Sequence, residues 1–81
     1  MISMIRKYDL IIGNKDFICR TKMFDYPVDA IRWIVTHIAD VSVNCTFEIR
    51  EIVLTDDYKV DSIGHYRFLT LYEAREEMKD E

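Results

Sequence analysis

The chain has 81 residues, with 11 lysines and arginines against 15 aspartates and glutamates, which gives a net charge of -4. Hydrophobic residues make up 49% and charged residues 32%, a balance typical of a globular domain rather than of a disordered chain. This length predicts a single domain over residues 1–81, with marginal stability on its own. No apolar run reaches the about 20 residues that cross a bilayer, so we expect no membrane segment.

The acidic net charge argues against general nucleic-acid binding, which needs a concentrated basic surface. The excess of acidic residues is greatest at the end of the chain, where residues 71–81 hold five acidic and two basic residues. The two cysteines form no CxxC motif, and the first residues lack the basic-then-apolar order of a signal peptide. We therefore expect free thiols and a cytoplasmic location.

The first third of the chain predicts a β-hairpin. Residues 2–12 and 17–24 alternate between the two faces of a strand, and residues 13–16 between them have turn chemistry. In the second strand, the alternation places Cys19, Thr21 and Met23 on one face. We expect Cys19 and Cys45 to lie on apolar faces and to pack as small hydrophobic side chains.

A helix over about residues 27–40 follows the hairpin. Pro27 suits the first helical position, and Asp25 and Asp29 place negative charge near the positive end of the helix dipole. Four apolar residues at helical spacing form one stripe along this helix: Ile31, Ile34, Val35 and Ile38.

Residues 43–55 predict a long strand, in which the consecutive apolar residues 52–54 indicate a bulge or a change of exposure. Asp56 and Asp57 begin a turn. Residues 58–64 are ambiguous and are expected to end at Gly64. A last strand over 65–70 would carry Tyr66 and Phe68 on one face.

The spacing of Thr70 and Glu73 predicts a capping box, which starts a short helix over about residues 71–79. Leu71, Ala74 and Met78 would face inward. The elements then follow the order β-β-α-β-β-α. We predict an α+β fold, in which one long helix packs on a face of a small antiparallel sheet.

Trp33 is the most informative residue for function. On the predicted helix it falls near the side opposite the apolar stripe and one turn from His37. Tryptophan is enriched at the centres of protein interfaces. We therefore predict a protein-binding patch made of Asp29, Trp33, Thr36, His37 and Asp40. The alternative is that the C-terminal helix or a loop of the same domain covers Trp33.

The remaining polar residues predict no enzyme. His37 and His65 have no ligand at metal-binding spacing, and no nucleophile accompanies them, so we expect no metal, no cofactor and no catalytic site. The acidic residues Glu73, Glu76 and Glu77 form a secondary patch that would suit a basic partner; the alternative is a solvated helix face.

Two other functions stay open. Four basic residues on the first hairpin could serve a nucleic-acid-associated regulator, although the aromatic platform of sheet-based RNA readers is missing: Arg6, Lys7, Arg20 and Lys22. A structural homo-oligomer, such as a homodimer, could form through a sheet edge or through the face that carries Trp33.

Residues 17–54 resemble the Dmd family of small T4-type phage antitoxins. The resemblance rests on Lys22 and Met23, an acidic helix start, and the order Trp33, Thr36, Ala39, Asp40 and Val41, followed by a hydrophobic strand over 45–53. The resemblance implies a phage protein that neutralises a bacterial RNase toxin of the RnlA or LsoA kind by direct binding. The sequence thus predicts an inhibitor or antitoxin that blocks a host defence protein, for example a nuclease, in the bacterial cytoplasm.

Overall fold

A computed structural model describes residues 4–13, 18–38 and 45–79. It confirms the α+β class and the predicted order of the elements. The predicted turn at residues 14–16 lies outside the described residues, as does Asp40. The described elements are β1 (Ile5–Gly13), β2 (Ile18–Phe24), α1 (Pro27–His37), β3 (Thr46–Leu54), β4 (Val60–Leu69) and α2 (Leu71–Met78).

The described strands form one antiparallel sheet with the order β2-β1-β3-β4. The two central strands pair without interruption, from Ile5 opposite Leu54 to Gly13 opposite Thr46. Each hairpin therefore contributes one central strand and one edge strand, and α1 lies between the two hairpins in the chain. This order makes β2 and β4 the edges of the sheet.

The main hydrophobic core lies between one face of the sheet and the two helices. Leu10, Phe47 and Ile49 contribute from the central strands and are almost completely buried. The core also includes residues of β2, β4 and both helices: Phe24, Ala30, Ile31, Ile34, Leu69, Leu71 and Ala74. Because burying a large apolar side chain contributes about 1.5–3 kcal/mol, this layer is the main stabilising feature of the domain.

Helix α1 begins at Pro27, directly after Tyr26, which has an extended backbone and makes no side-chain capping hydrogen bond. The helix buries Ala30, Ile31 and Ile34 against the sheet. It ends at His37, which is earlier than the predicted end near residue 40.

Helix α2 has the predicted capping box. The Thr70 hydroxyl accepts a hydrogen bond from the Glu73 backbone N–H at 3.2 Å, and the Glu73 carboxylate accepts one from the Thr70 backbone N–H at 3.0 Å. Leu71 and Ala74 are buried, and Met78 packs against the core, as predicted. The helix thereby rests against α1.

The second hairpin differs from the prediction at the start of its second strand. Strand β4 begins at Val60, so Gly64 lies inside the strand, opposite Glu51, and does not end a segment. The prediction that Asp56 and Asp57 begin a turn is confirmed, and this turn continues to Tyr58, whose φ is 63°.

The prediction that Tyr66 and Phe68 lie on the same face of the last strand is wrong. The β3–β4 register shifts between Ile49 and Arg50, which inserts Tyr66 as an extra residue. Tyr66 therefore contacts Tyr8 on the helix side, with ring centroids 5.4 Å apart, and Phe68 lies on the other side of the sheet. The predicted bulge near residues 52–54 is confirmed by a second shift between Val53 and Leu54.

The expectation that Cys19 packs in the core is wrong, while Cys45 is buried as predicted. Cys19 lies opposite Ile12, but β2 is an edge strand and leaves the thiol exposed. A register shift in the β1–β2 pair changes the alternation along β2, so Phe24 is the residue of this strand that enters the core.

Candidate functional site

Trp33 and His37 stack on each other along α1. Their ring centroids are 4.4 Å apart and the ring planes are inclined by 15°. The Nδ1 atom of His37 lies 3.0 Å from the backbone oxygen of Trp33, which fixes the imidazole against the helix. One turn of α1 thus presents a pair of ordered aromatic rings.

Trp33 is half-buried, so the prediction that it lies on the solvent side of α1 is only partly right. Part of the indole packs against the core. The C-terminal end of β2 lies beside it and forms a groove with the helix, which we call the α1–β2 groove. Its lining residues are Lys22, Met23, Phe24, Asp25, Asp29, Arg32, Trp33, Thr36 and His37.

The rim of the α1–β2 groove carries charges of both signs. Arg32 donates a hydrogen bond to Asp29 at 2.8 Å, one turn along the helix. On the strand side, the Lys22 ammonium lies 5.2 Å from the centroid of the Phe24 ring, within the range of a cation–π contact. The rim therefore combines polar contacts with an apolar floor.

Lys7 forms an ion pair with Asp25 at one end of the groove. The hydrogen bond to Asp25 raises the pKa of Lys7 above its usual value. This contact joins β1 to the segment that leads into α1. It also engages one of the four basic residues that the nucleic-acid alternative requires.

The structure brings four of the five predicted binding residues together in the groove: Asp29, Trp33, Thr36 and His37. Asp40 is outside the described residues. Lys22 and Phe24 provide the strand side of the site, which was not predicted from the sequence. The signal available for it was Phe24, an aromatic residue directly before the Asp-Tyr-Pro start of the helix.

The acidic residues of α2 make contacts within the chain. Glu73 belongs to the capping box, and Glu77 forms an ion pair with Arg67 of β4. The Oε1 atom of Glu76 lies 3.9 Å from the Nζ atom of Lys79. Since these carboxylates already have cationic or backbone partners, they form a weaker site for a basic protein than the sequence alone predicts.

A second exposed surface was not predicted from the sequence. The side of the sheet away from the helices, which we call the open face, carries large apolar side chains at both ends. Five of them are at least half exposed: Ile18, Met23, Val60, Ile63 and Phe68. The described residues include no element that covers this side.

Polar side chains cross the middle of the open face. Glu48 accepts a hydrogen bond from Arg50 at 3.1 Å, and its other oxygen lies 3.0 Å from Nδ1 of His65. Loss of water around Glu48 raises its pKa, but the contacts with His65 and Arg50 outweigh this effect, so the pKa is lowered overall. His65 also contacts the Phe68 ring, with centroids 4.5 Å apart.

No protein-family model, curated protein or solved structure matches this chain. The resemblance to the Dmd antitoxins therefore stays a prediction. Among the described residues, no group of three His, Cys, Asp or Glu side chains is placed to hold a metal ion. Neither described helix is long and apolar enough to cross a membrane.

Proposed function

We propose that this protein is a non-enzymatic protein-binding module that inhibits its partner by covering part of the partner's surface. We assign this contact to the α1–β2 groove. One observation carries the proposal: the half-buried Trp33 of α1 stacks on His37 and lines the groove between α1 and β2.

The groove has the composition of a binding hot spot. A tryptophan that is already held in place loses little side-chain entropy on binding, and its exposed portion can still enter a pocket of the partner. Polar side chains such as Thr36 and Arg32 surround the indole and would help exclude water from the contact. Charges of both signs on the rim would orient the partner through complementary pairs.

The partner we propose is a bacterial host protein, in particular an RNase toxin or another defence component. This choice rests on the resemblance of residues 17–54 to the Dmd antitoxins, since Trp33 and Thr36 of that pattern both line the groove. The protein would be phage-encoded and would act in the bacterial cytoplasm.

A capture experiment with matched variants tests this proposal. Thr36→Arg places a bulky side chain at an exposed position of the groove, and Tyr72→Arg makes the same change at an exposed position of α2. Both variants should keep the wild-type circular dichroism spectrum. Wild type and Tyr72→Arg should retain one bacterial protein from a host lysate, and Thr36→Arg should lose it.

Equal capture by all three proteins would show that the partner binds elsewhere. A direct functional assay completes the test: co-expression of the wild type with an RNase toxin should restore bacterial growth, and Thr36→Arg should not. Failure of the wild type to rescue growth from a panel of such toxins would exclude this class of partner.

A further inference from the structure

The sheet has two apolar faces, and the helices occupy only one of them. On the open face, Ile52 and Leu54 are 7% and 5% exposed, although they do not belong to the core cluster under the helices. Neighbouring side chains on the same face surround them, including Met23, Val60 and Ile63. A sheet with apolar residues on both sides is stable in water when a second layer covers each side.

We propose that the open face is the interface of a homodimer in which two copies of this chain pack sheet against sheet. The two pairs of helices then lie on the outside of the dimer. The α1–β2 groove is centred on α1, on the helix side of the sheet, and shares with the open face only the edge-strand residues Lys22 and Met23. The dimer therefore leaves Trp33, His37 and the rest of the helix side of the groove accessible.

The exposed apolar area matches the need of a small dimer. The exposed fractions are 80% for Ile18, 63% for Phe68, 59% for Val60, 55% for Ile63 and 50% for Met23. At about 150 Å² for each fully exposed side chain, they correspond to roughly 450 Å² on one copy. Two copies would bury about 900 Å² through these side chains alone, close to the about 1,000 Å² lower limit of a specific interface, and the polar neighbours add to this area.

The charges of the open face favour a second copy over a strongly charged partner. Glu48 pairs with Arg50 and His65 in the middle of this face. The charged residues beside Ile52 and Leu54, Asp9 and Lys22, are also of opposite sign. The open face therefore has no large excess of one charge. In a two-fold interface each copy presents the same patch, and a face with a large excess of one sign would repel itself. Because the charges of Glu48, Arg50 and His65 compensate each other, the apolar side chains at the two ends of the open face can pack against the second copy.

The edge of the sheet is a poorer route to self-association. The register of β4 against β3 shifts twice, between Ile49 and Arg50 and between Val53 and Leu54. Such irregularities disrupt the regular row of backbone donors and acceptors that edge pairing requires. Three apolar side chains of β4 instead lie on the open face: Val60, Ile63 and Phe68.

Sedimentation velocity over a concentration series tests the dimer. The wild type should shift from the chain mass of 9.7 kDa toward twice that mass as its concentration rises through the micromolar range, as expected of a small interface. Phe68→Glu and Ile18→Lys change opposite edges of the open face, and each should raise the dissociation constant at least about 10-fold. Tyr72→Glu, a comparably exposed aromatic on α2, is the matched control and should change it less than about 2-fold.

Three results would overturn the proposal. One is a wild type that stays monomeric up to about 500 µM, where even a weak interface would be populated. Another is a dimer that both open-face variants retain with native circular dichroism. The third is a dimer that only the α2 variant disrupts. The wild-type series decides the question of self-association even if a variant fails to fold. A partner that binds the groove without any wild-type dimer would overturn this inference and leave the proposed function intact.

Discussion

Replacing Trp33 with alanine should destabilise the domain without unfolding it. A fully buried tryptophan or phenylalanine costs about 3–5 kcal/mol when truncated to alanine. Trp33 is half-buried, so we expect about half of that cost, and the lost stacking on His37 adds about 0.5–1 kcal/mol. The free energy of unfolding should therefore fall by about 2–3.5 kcal/mol, less than the total of about 4–12 kcal/mol typical of this length.

Urea denaturation followed by far-UV circular dichroism measures this loss in both proteins. Fluorescence cannot compare them, because Trp33 is the single tryptophan of the chain. Trp33→Phe is the matched control: it keeps an aromatic ring on the core and should lose less than about 1.5 kcal/mol.

Two outcomes would refute this reasoning. A loss below about 0.5 kcal/mol would show that the indole is not packed against the core. A loss above about 4 kcal/mol would show that Trp33 is an ordinary core residue, with little of its ring left for a partner.

Three further changes test the fold. Thr70→Ala removes the capping box of α2 and should lower the free energy of unfolding by about 1 kcal/mol in urea denaturation, whereas Thr70→Ser should be nearly neutral; equal losses would contradict the role of the hydroxyl. Phe47→Ala, at a buried position of the central strand β3, should cost about 3–5 kcal/mol in the same assay, and a loss under about 1 kcal/mol would disprove its burial in the core. Because the folded state lowers the pKa of Glu48, this group should add stability above its unfolded pKa near 4.5 and lose that contribution as the pH falls through the folded pKa. The urea midpoint of Glu48→Gln should thus depend less on pH in acid than that of the wild type, and identical pH profiles would contradict the contact with His65 and Arg50.

The sequence predicts the elements that depend on local signals. The capping box at Thr70, the proline at the start of α1 and the apolar spacing of Ile31 and Ile34 all act within a few residues. The order of strands and helices was also predicted correctly, because each element has its own local pattern of apolar and turn residues. The groove residues on α1 were predicted for this reason, since Trp33 and His37 are neighbours on any helix that contains both.

The parts that sequence reasoning missed depend on long-range pairing. Register shifts in the β1–β2 and β3–β4 pairs change the side of the sheet on which a residue lies. They explain why Cys19 and Met23 do not share a face, and why Tyr66 and Phe68 do not. Whether Cys19 is covered depends on β2 being an edge strand, which the chain order does not determine. The open face follows from residues on different strands, so no single segment indicates it.

The affinity of the captured partner for Trp33→Ala tests the central claim most directly. With purified components and isothermal titration calorimetry, the wild type and Tyr72→Ala should bind equally well. Trp33→Ala should raise the dissociation constant about 30- to 1,000-fold, which corresponds to about 2–4 kcal/mol at a hot spot. An increase of less than about 3-fold by a folded Trp33→Ala protein would show that the α1–β2 groove is not the binding surface.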